Sequence, residues 1–288
     1  MRLKAMAKIN LGLDVLGKRE DGYHEVRMIM QTIHLYDLLE IQKIREPEIQ
    51  IVSNLSFLPV NENNLVYKAA RLLQEEFALT DGISVKLTKR IPVAAGMAGG
   101  STDAAAMLYA MNQLYDLGLS RRELMKRGVQ IGADVPYCLM RGTALAEGIG
   151  EKLTQLPPMI KCPVLIAKPS ISVSTKFVYQ NLKLDEQTNH PDIDALMKDI
   201  REKDFDGVCA HMGNVLESVT IPNYPVIAEI KQQMMRSGAK ASMMSGSGPT
   251  VFGLFEDGET AKRALREMKR SGLAKQVYLT TIYNNRRK

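Results

Sequence analysis

The chain has no tryptophan, and only 6% of its 288 residues are aromatic. Single-stranded nucleic acids are held on stacked aromatic platforms. Their sparseness, with no RNA-binding signature, leaves a net charge of +6 as weak support for a nucleic-acid partner. The same charge suits a polyanionic small molecule, and apart from the tail Arg286-Arg287-Lys288 the basic residues are spread along the chain. Cysteine is scarce too. Cys138, Cys162 and Cys209 are widely spaced, odd in number and lack metal-ligand spacing. They exclude a disulfide framework and read as buried thiols of a reducing cytoplasm. The four histidines do not cluster, so no zinc or other side-chain metal site is expected. No apolar run reaches the length of a membrane span, and the charged start does not read as a signal peptide. Internal repeats and low-complexity segments are absent as well.

What is present is ordinary for a globular enzyme: 45% hydrophobic and 24% charged residues. The length predicts two domains, and Leu156-Pro157-Pro158 is the best boundary. That gives an N-terminal part, 1–156, and a C-terminal part, 157–288. Apolar alternation at Ile9, Leu11, Leu13 and Val15 predicts a strand, as do 25–34, 38–44, 48–52, 83–89, 142–146, 164–167, 241–244, 250–255 and 276–282. Asn64 is placed to cap a helix through Val66, Ala69, Ala70, Leu73 and Phe77. Ser120, with Glu123 three residues on, predicts a capping box over 121–129. Further helices are expected around 175–181, 192–201, 226–237 and 259–270. Strands and helices mix without strict alternation, so the fold class is α+β in two lobes.

The most informative stretch is Pro92-Val93-Ala94-Ala95-Gly96-Met97-Ala98-Gly99-Gly100-Ser101-Thr102-Asp103, between a strand-like and a helix-like run. Small residues admit a ligand close to the backbone. A helix start points unpaired N–H groups and a partial positive charge at whatever lies there. Together they suit a phosphate, although a small-residue turn that merely packs a helix on a sheet has the same composition. By contrast, Gly12 to Arg19 imitates a Walker loop but lacks its Ser or Thr and its middle reads as strand, so it is rejected.

Four more motifs hold chemistry-bearing side chains. Lys8 and Asn10, two apart in the first strand, share a face; a solvated lysine is the plain alternative. Asp21-Gly22-Tyr23-His24 is a turn that presents a phenol ring and an imidazole, or simply a turn over a packed tyrosine. Gly132-Ala133-Asp134-Val135-Pro136 places a carboxylate among apolar neighbours after a helix, as a base or as a helix-end residue. Ser245-Gly246-Ser247-Gly248-Pro249-Thr250 either lines a phosphate tail or makes a tight hairpin.

In this order, these motifs resemble the superfamily of small-molecule kinases that includes galactokinase, homoserine kinase, mevalonate kinase and phosphomevalonate kinase. The resemblance runs from about residue 5 to residue 256. Tyr23-His24 and Lys18-Arg19-x-Asp21-Gly22 make it closest to the branch that phosphorylates methylerythritol carried on cytidine diphosphate, in the non-mevalonate route to isoprenoids. Ala98 stands where many relatives have glycine, a change tolerated if its φ is negative.

The resemblance implies a two-lobe kinase fold and transfer of the ATP γ-phosphoryl to a tertiary hydroxyl. It makes Lys8 and Asp134 the catalytic pair, with Asp134 the base and Lys8 beside it. Pro92, Val93, Ala94, Ala95, Gly96, Met97, Ala98, Gly99, Gly100, Ser101 and Thr102 would wrap the ATP phosphates, with phosphate-bound magnesium, and Asn64 and Lys89 would lie near adenine and ribose. Tyr23 would stack on cytosine and His24 bond its edge. Tyr179 takes the place of a second stacking aromatic, core packing of its short helix being the alternative. Asn10, Thr175, Ser245, Gly246 and Ser247 complete the substrate side. The implied partner is one small molecule in the cytoplasm, without nucleic acid or membrane, the chain being a monomer or weak homodimer. Rival readings are another kinase of the superfamily, which has no need of Tyr23-His24, and a non-catalytic nucleotide-binding regulator, which has no need of Lys8 and Asp134.

Overall fold

A computed structural model describes residues 1–186 and 188–285; the basic tail, 286–288, lies outside the described residues. In chain order the elements are β1 (Arg2–Lys18), β2 (His24–Ile44), β3 (Ile49–Ser53), α1 (Leu65–Glu76), β4 (Gly82–Thr88), α2 (Gly99–Leu114), α3 (Arg121–Ile131), α4 (Val135–Met140), β5 (Thr143–Gly148) and β6 (Lys152–Gln155). They continue as β7 (Pro163–Lys168), α5 (Thr175–Asn181), α6 (Ile193–Glu202), α7 (Phe205–His211), β8 (Gly213–Asn214), α8 (Glu217–Asn223), α9 (Val226–Arg236), β9 (Ala241–Met244), β10 (Val251–Leu254), α10 (Gly258–Ser271) and β11 (Gln276–Thr281). The α+β expectation holds.

Two compact units divide the chain at other points than Leu156–Pro158. One comprises Met1–Ala7, Leu35–Val93 and Ala98–Met140; the other comprises Lys8–His34, Ala94–Met97 and Arg141–Lys288. In the first unit, β4 lies between β3, parallel to it, and the Leu38–Ile44 half of β2, antiparallel to it. Leu39, Ile41, Ile83, Val85 and Leu87 bury one side of these strands. Helix α1 packs on α2 through Val66, Ala69, Ala70 and Leu73. Its start is fixed as the sequence predicts: Asn64 Oδ1 accepts the Val66 N–H at 2.9 Å, a cap that contributes about 1 kcal/mol. The Ser120–Glu123 capping box of α3 is present too.

In the second unit, β5 pairs antiparallel with Val26–Gln31 of β2 and with β6. Strand β8 adds a short parallel pairing to β1 at Gly12 and Leu13. Helix α6 sits on this part of β1, because Gly12 has no side chain: a Cβ there would meet Ile193 Cδ1 at 2.7 Å and Leu196 Cδ2 at 2.8 Å. A separate antiparallel sheet, ordered β11-β7-β10-β9, buries Val164, Leu165, Ile166, Val251 and Phe252 under α9 and α10. The decoy is strand from Gly12 to Lys18, as its alternation predicts.

Helix α2 begins at Gly99, directly after the small-residue loop. Its N-cap, Ala98, has φ 55° and ψ 32° and gives no side-chain cap. The condition under which alanine is readily tolerated there, a negative φ, is therefore not met, and Ala94 (φ 51°) shares the left-handed conformation. A Cβ in this region presses on the following carbonyl and costs about 1–2 kcal/mol. Ala98→Gly should relieve that strain. By scanning calorimetry, the melting temperature should rise by roughly 2–4 °C per kcal/mol regained; a fall would contradict the strained geometry.

Candidate active site

Lys8 lies at the middle of β1 and is only 5% exposed. A solvated lysine is thereby excluded, and the reason is that both faces of β1 are covered from Ala7 to Val15. Its ammonium donates to Asn10 Oδ1 at 2.7 Å, one side chain along the same face. Its backbone N–H donates to the Met97 carbonyl at 3.2 Å, fastening the strand to the loop. Asn10, expected to face substrate, is fully buried. Its Oδ1 accepts from the Lys8 ammonium and its Nδ2 lies 3.3 Å from Met28 Sδ.

The loop segment Ala94–Met97 is built against the Ser245 hairpin. The Ser245 hydroxyl donates to the Gly96 carbonyl at 2.9 Å. A Cβ on Gly96 would fall 2.1 Å from the Ser245 carbonyl oxygen, and φ is +68° there, so only glycine fits. Asn214, which no motif flagged, holds the hairpin's entry by donating to the carbonyls of Met244 (2.9 Å) and Gly246 (2.8 Å). It sits in a two-residue strand whose neighbours carry no periodicity, and no sequence signal marks it. Ser247 and Thr175 join their hydroxyls at 2.8 Å, which brings the start of α5 to the hairpin.

The turn before β2 is equally built. The Tyr23 N–H donates to Asp21 Oδ1, Gly22 adopts φ 84°, and Arg19 pairs with both Asp21 and Glu25. Tyr23 is 60% exposed, its ring presented outward. The His24 ring lies 5.0 Å from that of Tyr179, tilted by 42°. Burial first, then the charge of Lys18, holds the His24 pKa below the usual imidazole value. The ring is thus neutral at physiological pH, with one nitrogen donating and one accepting.

In the first unit, α2 presents its first turn without a side-chain cap. The Thr102 N–H bonds the Ala98 carbonyl at 2.8 Å, which leaves the N–H groups of Gly99, Gly100 and Ser101 outside the helical ladder. Pro92 is buried, whereas Val93 and Gly100 are exposed. The side chains of Asn64 and Lys89 are both engaged within the protein. Asn64 caps α1 and donates to the Pro59 carbonyl at 2.6 Å; the Lys89 ammonium lies between Asp37 and Asp103. Asp134 is half-buried at the head of α4, its carbonyl accepting the Cys138 N–H at 3.0 Å.

Among the described residues, no helix is long and apolar enough to cross a membrane. Residues 64–142 match the GHMP kinases N terminal domain, and residues 196–274 match the GHMP kinases C terminal family. A 4-diphosphocytidyl-2-C-methyl-D-erythritol kinase from Lachnospira eligens is 59% identical over 283 residues, 98% of each chain. The enzyme of that name from a Geobacillus species is 50% identical over 288 residues, 99% of each chain. A crystal structure of 4-(cytidine 5'-diphospho)-2C-methyl-D-erythritol kinase superposes with a TM-score of 0.85 at 31% identity, covering 99% of this chain and 100% of that one. A homoserine kinase from Cytophaga hutchinsonii shares the fold, with a TM-score of 0.79 at 21% identity over 98% of this chain and 94% of that one. The motifs and the near full-length identity give one assignment: the chain belongs to the 4-diphosphocytidyl-2-C-methyl-D-erythritol kinases, a family of the GHMP kinases.

Proposed function

We propose that this chain transfers the γ-phosphoryl of ATP to the tertiary hydroxyl of 4-diphosphocytidyl-2-C-methyl-D-erythritol, giving the 2-phosphate, a step of non-mevalonate isoprenoid synthesis in the cytoplasm. The observation that carries the reading is the buried Lys8 ammonium, oriented by Asn10 on a strand fastened to the small-residue loop. A desolvated cation acts strongly on charge that develops in a transition state. A tertiary alcohol is hindered and weakly acidic, so removal of its proton and its alignment with the phosphorus govern the rate. In this reading Asp134 accepts that proton, and Lys8 stabilises the transferring phosphoryl group.

The uncapped first turn of α2 and the loop from Pro92 to Thr102 hold the ATP phosphates. Asn64 and Lys89, whose side chains are held within the protein, lie near the adenine and ribose. Magnesium is part of the reading, and the donors fit it modestly. Among the described residues no three His, Cys, Asp or Glu side chains form a cage, and the carboxylates of Asp37 and Asp103 are tied to Lys89. Such a set suits an ion held mainly by phosphate oxygens and water, with the Ser101 hydroxyl as protein donor. When bound, the ion neutralises phosphate charge. On the substrate side, Tyr23 stacks on the cytosine, His24 bonds its polar edge and Tyr179 flanks it. Thr175, Ser245, Gly246 and Ser247 surround the diphosphate. A functional division near residue 156 is part of the proposal, supported by matched segments that end at 142 and resume at 196.

ATP consumption should be rapid with the cytidine substrate and negligible with homoserine, mevalonate or galactose; no turnover with the cytidine substrate would sink the reading. Asp134→Asn should lower kcat by roughly 10²- to 10⁴-fold, the worth of a positioned base, while ATP binding stays near normal. Tyr23→Ala should chiefly raise KM for the cytidine substrate, by about tenfold, the worth of one base stack. Because the folded-state pKa of His24 is depressed below 6.5, its neutral form persists down to that pH and is lost only as pH falls further. KM for the cytidine substrate should therefore be flat from about pH 8 to about pH 6.5 and rise below it. The same proton uptake removes stability on the acid side, since the unfolded imidazole binds its proton first. A KM already rising between pH 8 and pH 7 would contradict the assignment.

A further inference from the structure

One cluster of buried charge in the first unit takes no direct part in the chemistry proposed above. Asp37, on β2, is fully buried, and its Oδ1 accepts the N–H groups of Arg90 at 2.5 Å and Ile91 at 2.8 Å. Its Oδ2 accepts from the Lys89 ammonium, which also donates to Asp103 Oδ2 at 2.6 Å on the second turn of α2. Residues 89–91 lead into the small-residue loop and α2 leads out of it, so the triad pins both ends of that loop. Gly99, the first residue of α2, rides on the same ammonium. A Cβ there would stand 3.3 Å from Lys89 Nζ and 3.2 Å from Ile91 Cγ2.

Packing alone does not require this cluster. Removing three charged groups from water is costly, and a well-packed apolar trio is often as stable. Burial lowers the Lys89 pKa, but the charges of Asp103 and Asp37 outweigh it and the net direction is upward, so the lysine remains a cation. Asp103 Oδ1 is buried without a hydrogen-bond partner, an uncompensated cost under the helix start. What the triad supplies in return is fixed geometry: directional, charge-assisted bonds hold their partners more closely than apolar contacts do.

We infer that Asp37, Lys89 and Asp103 are positioning residues for ATP, setting where the first-turn N–H groups of α2 stand relative to the strand end at Lys89. The inference rests on the reading that this loop holds the ATP phosphates. Misplacement of those donors weakens phosphate binding without touching the alcohol substrate. The identity of the Asp103 side chain then matters for its oxygen acceptor more than for its charge.

Equilibrium binding of a non-hydrolysable ATP analogue, measured by calorimetry beside the two KM values, tests this. Asp103→Ala should weaken analogue binding and raise KM for ATP by about tenfold or more, leaving KM for the cytidine substrate unchanged. Asp103→Asn, which keeps an acceptor for Lys89, should restore both to within about threefold of wild type. An Asp103→Ala protein that melts normally and binds the analogue like wild type overturns the inference, as does equal impairment by Ala and Asn. Should Asp103→Ala fail to fold, Gly99→Ala decides. Alanine's helix preference opposes the press of its methyl on Lys89 and Ile91, and a wild-type-like melt is the control that the variant is folded. Analogue binding weakened several-fold supports the triad's role, and unchanged binding overturns it. Failure of the wild type to phosphorylate the cytidine substrate would sink the proposed activity alone, since analogue binding still judges the triad.

Discussion

The carboxylate of Asp37 is the point on which the functional half of the first unit depends. Strand β4 ends at Thr88, so the N–H groups of Arg90 and Ile91 lose the ladder that would have paired them. Buried backbone donors without partners are costly. One carboxylate oxygen takes both, and the other takes the lysine that follows the strand. The chain is thus turned out of the sheet with its polar groups satisfied, at the position where the small-residue loop begins. Three donors on one carboxylate offset a desolvation cost of several kcal/mol that no single hydrogen bond would offset.

The second unit solves a similar problem with neutral groups. At the hairpin from β9 to β10, Asn214 donates to the carbonyls of both Met244 and Gly246. Ser245 and Gly96 then meet through a hydroxyl and a carbonyl, at a separation only glycine permits. Charge is kept for Lys8, whose ammonium has a neutral amide beside it on its own strand face. A carboxylate at position 10 would pair with that ammonium and cancel its field. The amide orients it without adding a charge of its own.

Much of this was legible in the sequence, and the parts that were not share a cause. Periodicity found the long elements, and local chemistry found the Asn64 and Ser120 caps, because both signals lie within a few residues of what they specify. The shared face of Lys8 and Asn10 followed from alternation, but their burial did not. Alternation predicts one wet face, and tertiary packing of α6 and the hairpin covered it. Strand β2 runs unbroken through Asp37, where the sequence suggests a break, since aspartate disfavours strands. The partners that overturn that preference, residues 89–91 and 103, are distant in sequence. The two compact units are likewise assembled from alternating segments, so no single boundary in the chain marks their division. Asn214 stands in a two-residue strand, too short for any period to show.

The loop itself shows why composition understated its constraint. Small residues read as freedom, yet Gly96 has no space for a Cβ, and Ala94 and Ala98 are held in a conformation that alanine disfavours. A loop free to relax would release that strain, so the anchors at its two ends must hold it. Those anchors, Lys8 to Met97, Ser245 to Gly96, and Asp37 with Lys89 and Asp103, differ in chemistry but act on one short stretch of backbone. A phosphate meeting N–H groups already fixed in place need not order them on binding, which removes a large part of the cost of capture. Strain in the resting loop is the counterpart of that preorganisation. Relieving it at Ala98 therefore tests a trade between stability and readiness to bind, because a glycine there would be more stable in the folded state and freer to leave it.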